Sequence, residues 1–238
     1  MFPVTAHESL RRRSSFRQGK RRYPCNGADR PQPLERAYNP LYCYHGGVNG
    51  GLPISATRAL ATVFLDRDGV INEKMAEGRY VTSWSEFKVL PGVPQAIARL
   101  NRAGLRVAVV TNQRCVALGL CTAGDVRELH SAFQRLLNRY GAHVDGFYFC
   151  PHDKSECNCR KPLAGLFEQA AAQFPEISAG SSAMIGDSLS DIEFGRRLGM
   201  LTVLIDGDPE RRKPGWQAAA ALAELRFASL AEAIDGLL

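Results

Sequence analysis

The sequence predicts an α/β fold built on a parallel sheet, and three observations carry that reading. Short apolar runs recur from Ala61 onward, each bounded by polar residues or glycine and each of strand length. Between them lie segments whose apolar residues repeat at helical spacing, so strands alternate with helices joined by right-handed crossovers. At 238 residues the chain suits one such domain with a full core. No internal repeat is visible.

The first strand, Ala61 to Leu65, ends in Asp66-Arg67-Asp68-Gly69. Ligands of open α/β sheets sit beyond the carboxyl ends of the strands, so this strand delivers two carboxylates to that edge. Gly69 lets the chain turn sharply. Carboxylates this close repel unless a cation shares them or one stays protonated. Both outcomes serve phosphoryl transfer, with Asp66 as metal ligand and nucleophile and Asp68 as proton carrier. Taken alone, the pattern reads equally well as an exposed Asp-x-Asp turn.

A polar stretch from Glu73 to Glu86 follows, with Tyr80, Trp84 and Phe87 spaced through it as a border to a pocket or as simple packing. Pro91-Gly92-Val93-Pro94 opens a helix with the buried stripe Val93, Ile97 and Leu100, closed by Gly104. Leu105 to Val110 is the second strand and presents Thr111-Asn112-Gln113 at the same edge. Thr122 and Asp125 form a capping-box pattern for a helix with inner face Val126, Leu129, Phe133, Leu136 and Leu137. Val144 to Phe149 makes the third strand and Pro162 to Phe174 the next helix. Ser182 to Ile185 is a fourth strand presenting Gly186-Asp187-Ser188, followed by a helix from Asp191 to Leu198. Leu201 to Ile205 is a fifth strand, and helices are expected at Trp216–Leu225 and from Ser229.

Cys150-Pro151-His152 and Cys157-Asn158-Cys159 form a C-x-H-x4-C-x-C cluster. Three thiolates and one imidazole are the ligand set of a tetrahedral structural Zn²⁺, whose closed shell leaves no place for water and no catalytic step. A chance cysteine-rich loop is the weaker reading because four such ligands fall within ten residues, and a nucleic-acid zinc knuckle is weaker because Arg160-Lys161-Pro162 is the only basic group nearby and no aromatic platform accompanies it. The chain holds seven cysteines, an odd number, and no signal peptide is visible, so a reducing cytoplasm is the expected setting. Nothing approaches the ~20 apolar residues of a membrane span.

The formal charge of +6 belongs to the N-terminal part. Residues 1–58 hold ten Lys or Arg against three Asp or Glu, whereas residues 59–238 hold 20 against 21. The basic segment shows no apolar period and is expected to be a disordered extension, with the catalytic domain over 59–238. Three readings of it stay open: an arm for nucleic acid or an acidic membrane, a targeting segment, or an extension upstream of the true start, with Val48 or Leu52 as alternative starts.

Asp66-x-Asp68, Thr111-Asn112, Lys161 before a helix, and Asp187 with Asp191 occur in the order that resembles the haloacid dehalogenase superfamily of phosphohydrolases. The cysteine cluster running into Arg160-Lys161-Pro162 is similar to its zinc-containing branch of heptose 1,7-bisphosphate phosphatases and histidinol-phosphatases. The resemblance covers about residues 60–238. It implies a Rossmann-like, doubly wound parallel sheet of the haloacid dehalogenase type, with a minimal cap and a zinc-binding loop. It further implies that Asp66 is the nucleophile, that Asp68 is the acid and base, and that Mg²⁺ is held by Asp66, the Asp68 carbonyl and Asp187. Thr111 and Asn112 would bind phosphoryl oxygens, Lys161 would neutralise charge, Arg160 would read the substrate and Asp191 would orient the motif. Zn²⁺ would take Cys150, His152, Cys157 and Cys159.

Where the family commonly continues Thr-Asn-Gln with Ser-Gly, this chain has Arg114-Cys115; Leu118 stands where many members have arginine, and Asp153-Lys154 replace a usual His-Pro. Arg114 therefore either reaches a remote phosphate of the substrate or points to solvent. The expected activity is Mg²⁺-dependent phosphomonoester hydrolysis, foremost on a heptose 1,7-bisphosphate. Histidinol phosphate and nucleic-acid ends are the alternatives. The expected partner is a small phosphorylated molecule, with no membrane and with nucleic acid the disfavoured alternative, and the expected state is a monomer.

Overall fold

The computed structural model describes residues 59–238. The expected basic extension, 1–58, lies outside the described residues. Six strands form the frame: β1 (Thr62–Leu65), β2 (Arg106–Asn112), β3 (Gly146–Cys150), β4 (Ser182–Gly186), β5 (Leu201–Ile205) and β6 (Leu225–Phe227). They make one parallel sheet in the order β3-β2-β1-β4-β5-β6. The chain runs outward from β1 to β3, crosses back to β4 on the other side of β1, and runs outward again. The reversal between β1 and β4 is the point at which such sheets leave a crevice for a ligand.

Six helices cover the sheet: α1 (Val93–Arg102), α2 (Ala123–Asn138), α3 (Gly165–Gln173), α4 (Leu189–Leu198), α5 (Trp216–Leu222) and α6 (Leu230–Leu237). Alternation along β1 divides the core. Val63 and Leu65 face the layer of α1, α2 and α6, packing with Ile97, Leu100, Leu129, Phe133 and Ile234, whereas Phe64 faces Leu166, Ala170 and Phe194 of α3 and α4. Both faces of each central strand are thus buried, which is why β1, β4 and β5 read as continuous apolar runs rather than alternating ones.

The helix starts follow local chemistry. Gly92 enters α1 at φ 78°, in the left-handed region, with proline in the first turn. Thr122 and Asp125 close a reciprocal capping box on α2. Ser229 accepts from the Glu232 amide at the start of α6.

Two expectations need correction. The helix expected from Trp216 to Leu225 stops at Leu222, and Leu225–Phe227 forms a sixth strand that pairs parallel to β5. Glu224 breaks the helix by turning to Thr202, its amide donating to the Thr202 carbonyl at 3.1 Å. The helix expected from Pro162 begins at Gly165, because residues 161–164 form a turn that fixes Lys161. Among the described residues no helix is long and apolar enough to cross a membrane.

Candidate active site

Asp66 is the first residue past β1, and its amide donates to the Ile185 carbonyl of β4, so it stands over the crevice between the two strands. Lys161 Nζ lies 2.9 Å from Asp66 Oδ1, 2.6 Å from Asp191 Oδ1 and 2.6 Å from the Val110 carbonyl. All three side chains are buried. Burial pushes the Asp66 carboxyl above its ordinary value, and Lys161 offsets only part of that. Burial opposes the Lys161 charge too, yet Asp191 and Asp66 outweigh it and raise the ammonium above its ordinary value. Asp191 is likewise burdened by burial, but Lys161 and the Ser188 hydroxyl hold it below the usual range.

Each of these groups is placed by its own element. Lys161 is set by Asn112 at the end of β2, whose side-chain amide accepts from the Lys161 amide at 3.0 Å and donates to its carbonyl at 3.1 Å. Asp191 sits in the first turn of α4, where Oδ2 accepts from the amide and hydroxyl of the N-cap residue Ser188. Gly186 leaves the space for it, since a Cβ there would stand 2.2 Å from the Asp191 Cβ. Asp187 follows β4 and packs against Gly69, where a Cβ would lie 2.2 Å from Asp187 Oδ2 and where φ is +99°. Gly69 is therefore required twice, for the turn and for the approach of Asp187.

Asp66, Asp187 and Asp191 place ligand oxygens within 4.8 Å of one another. Asp187 Oδ1 is buried and has no hydrogen-bond partner, and burial pushes the Asp187 carboxyl up to about 6. An orphaned carboxylate oxygen in an all-oxygen cluster fits a hard dication such as Mg²⁺. Asp191 is engaged by Lys161 and Ser188, whereas Asp66 and Asp187 are paired through one oxygen each, with Lys161 and Lys74, and keep the other for the ion.

Asp68 turns the other way. Its carboxylate accepts two bonds from Arg67 Nη2 at 3.0 Å and one each from Asn72 and Gln113 at 2.9 Å. Burial would raise its pKa, but Arg67, Asn72 and Gln113 together lower it. Arg67 is itself buried, with its guanidinium over the Phe87 ring at 5.7 Å. Thr111 is buried beside this group, its hydroxyl accepting from Gln113.

The second cluster is equally compact. Cys150, His152, Cys157 and Cys159 bring their ligand atoms within 4.8 Å of one another, with Sγ–Sγ and Sγ–Nδ1 separations of 3.3–3.8 Å. Bonds of ~2.3 Å to a tetrahedral Zn²⁺ require sulfur separations of about 3.7 Å, so the set fits that ion. Arg160 is half-exposed beside it and reaches the His152 carbonyl at 3.4 Å. Arg114 neither points to solvent nor stands free for a ligand: it forms a two-point ion pair with Asp153 at 2.5 and 2.9 Å, tying the loop after β2 to the cysteine loop. That pair, with the Lys154 amide, holds the Asp153 carboxyl down at about 2.

Besides Gln113, already expected at this edge, three residues of the site carry no signal that sequence reading used: Lys74, Arg67 and Lys213. Lys74 pairs with Asp187, Arg67 and Gln113 hold Asp68, and Lys213 lies within electrostatic reach of the carboxylates. Desolvation pulls the Lys213 ammonium down, but Asp187, Asp66 and Asp191 more than offset it. The available cue was position: Lys74 and Lys213 sit in loops that follow β1 and β5 at the ligand-bearing edge. Of the aromatics expected at the border, Phe87 joins the core against Phe133, Trp84 stacks on it at 5.3 Å, and Tyr80 meets Arg114.

The profile of the haloacid dehalogenase-like hydrolases matches residues 52–199. A D-glycero-alpha-D-manno-heptose-1,7-bisphosphate 7-phosphatase of Mycobacterium tuberculosis is 42% identical over 137 residues, 57% of this chain and 72% of that one. A D-glycero-beta-D-manno-heptose-1,7-bisphosphate 7-phosphatase of Neisseria meningitidis is 38% identical over 132 residues, 55% of this chain and 69% of that one. Among solved structures, D,D-heptose 1,7-bisphosphate phosphatase from B. bronchiseptica with magnesium and phosphate superposes with a TM-score of 0.67 at 32% identity, covering 75% of this chain and 98% of that one. The enzyme of that name from Burkholderia thailandensis gives 0.53 at 31% identity, covering 74% and 98%.

Proposed function

We propose that this chain, which belongs to the haloacid dehalogenase-like hydrolase family, is a Mg²⁺-dependent phosphatase that removes the 7-phosphate of a D-glycero-D-manno-heptose 1,7-bisphosphate. The observation that carries the reading is the meeting of Asp66, Lys161 and Asp187 over one crevice, with three buried carboxylates facing the ammonium groups of Lys161, Lys74 and Lys213. The lysines are largely engaged by those carboxylates, so an incoming phosphate dianion calls for the positive charge of a further cation. Mg²⁺, held by Asp66, Asp187 and the Asp68 carbonyl, would supply that charge at the phosphoryl oxygens.

The chain's own groups then divide the work. Asp66 is fixed through Oδ1 by Lys161, which leaves its second oxygen to attack phosphorus and form the aspartyl-phosphate. Lys161 neutralises charge on the nucleophile and on the phosphoryl group as it forms. Thr111 and the backbone of Asn112 bind phosphoryl oxygens, while the Asn112 side chain keeps Lys161 in place. Asp68 rests ionised among its donors, the state of a base for the hydrolytic water. A bound phosphate dianion beside it raises its proton affinity, which lets it deliver a proton to the leaving oxygen. Arg160 reads the distal part of the substrate, and Arg114 acts on the substrate indirectly, through Asp153 and the cysteine loop. Cys150, His152, Cys157 and Cys159 would hold a Zn²⁺ whose role is structural.

Phosphate release from the α and β heptose 1,7-bisphosphates, histidinol phosphate and a 5′-phosphorylated oligonucleotide, each with Mg²⁺ or a chelator, tests the reading. The expected result is Mg²⁺-dependent release of one phosphate, from C7, at the highest kcat/KM in the set. Faster turnover of histidinol phosphate would replace the substrate, and no release from any ester would refute the phosphatase itself.

A further inference from the structure

The loop after β2 holds a pair of thiols that the phosphatase chemistry does not use. Backbone bonds from Leu118 to Arg114, from Gly119 to Val116 and from Leu120 to Cys115 wind the loop into a tight turn, with Gly119 in the left-handed region at φ 68°. The turn brings Cys121 back onto Cys115, with the two sulfurs 2.9 Å apart and both thiols free. A disulfide bond is about 2.05 Å long, so bond formation asks for a movement of under an ångström.

The pair is joined to the site by a continuous chain of hydrogen bonds. The Cys121 thiol donates to Cys115 Sγ, and the Cys115 thiol donates to Gln113 Oε1 at 3.6 Å. Gln113 Nε2 in turn donates to Asp68 Oδ2 and to the Thr111 hydroxyl, both at 2.9 Å. The Gln113 amide is buried, so the Cys115 thiol is the donor that fixes which end of it faces Asp68.

We propose that Cys115 and Cys121 form a reversible disulfide under peroxide, and that the cross-link lowers turnover by releasing Gln113 from its place beside Asp68. Cys121 is the half-exposed member and meets the oxidant first, whereas Cys115 is fully buried. The Cys121 thiolate attacks one peroxide oxygen, breaks the O–O bond and becomes a sulfenic acid, with hydroxide leaving. Cys115 then attacks that sulfur and displaces the oxygen, giving the disulfide. In sum two thiols and one hydrogen peroxide yield one disulfide and two waters. Both S–H donors are consumed, so Gln113 Oε1 loses its partner inside the protein, and a thiol reductant reverses the change. The cross-link stands on geometry alone; its effect on turnover rests on the phosphatase reading above.

The test treats the zinc-loaded, full-length protein with hydrogen peroxide, then with dithiothreitol, and reads peptide mass maps and phosphate release in parallel. Expected are a cross-linked peptide pair spanning Cys115 and Cys121, a several-fold loss of kcat, and recovery of both on reduction. Cys121→Ser should keep its activity through the same treatment. Absence of the cross-link overturns the proposal, as does a cross-link without loss of turnover. Equal loss of activity in Cys121→Ser, accompanied by zinc release, also overturns it, since the damage then lies in the cysteine cluster. A reduced protein that forms the cross-link but hydrolyses none of the esters would remove the phosphatase reading and leave the disulfide standing.

Discussion

At the scale of single residues, Lys161 decides the site. One ammonium satisfies a carbonyl of β2, the nucleophile candidate after β1 and the first-turn aspartate of α4. Replacing it by methionine leaves buried carboxylates without their cation, so both the melting temperature and turnover should fall, by several kcal/mol in stability. Asp66→Asn is predicted to behave differently. Burial already disfavours the Asp66 charge, so the fold should keep its melting temperature while turnover drops by more than ~10³-fold. Near-native activity in that variant would end the assignment. Arg160→Ala should raise KM about tenfold at little cost in kcat, because a side chain that reads a remote group contributes binding common to ground and transition states. Asp66, Asp68 and Lys161 were legible because their order along the chain is specific. Lys74 and Arg67 were not, since nothing in a loop lysine or in an arginine between two aspartates says which carboxylate it will face.

At the scale of elements, the helices were the easier part to read. Thr122 with Asp125, and Ser229 with its apolar face, write their own starts, whereas β6 is three residues long at the sheet edge and offers no period to detect. Within α2, His130 lies buried, stacked on Phe147 at 4.8 Å, with Nε2 unpartnered. Burial, with Arg67 nearby, pushes its pKa down to about 3, so the folded protein keeps the ring neutral while the unfolded chain takes up a proton below about 6.5. Stability from this group is complete above that value and is lost as pH falls, by about 2 kcal/mol at pH 5. Thermal melts at pH 7 and pH 5 should show this loss in the parent and a flatter response in His130→Leu. The cysteine loop offers a second test: Cys157→Ser should lower zinc content and melting temperature together, and an unchanged melt in zinc-free protein would deny the cluster a structural role.

At the scale of the whole molecule, the fold class and the site edge were readable from the alternation of apolar runs and helical stripes, but the side-by-side placement of β1 and β4 was not. That adjacency follows from the crossover after β3, a long-range event without a local signature. The division of charge suggests where the protein can be cut. A chain beginning at residue 59 should fold and keep kcat/KM on a sugar bisphosphate at any salt concentration, because the described domain carries near-balanced charge. A steep loss of activity on phosphorylated DNA ends at low salt after the same truncation would instead make the basic segment a nucleic-acid arm.

The groups gathered over the crevice come from positions 66, 111, 161, 187 and 191, spread over most of the described chain. During synthesis Asp66 leaves the ribosome long before Lys161 and Asp187 exist to flank it. On the proposed reading, a nascent fragment that stops short of β4 lacks Asp187 and Asp191 and so holds no complete site.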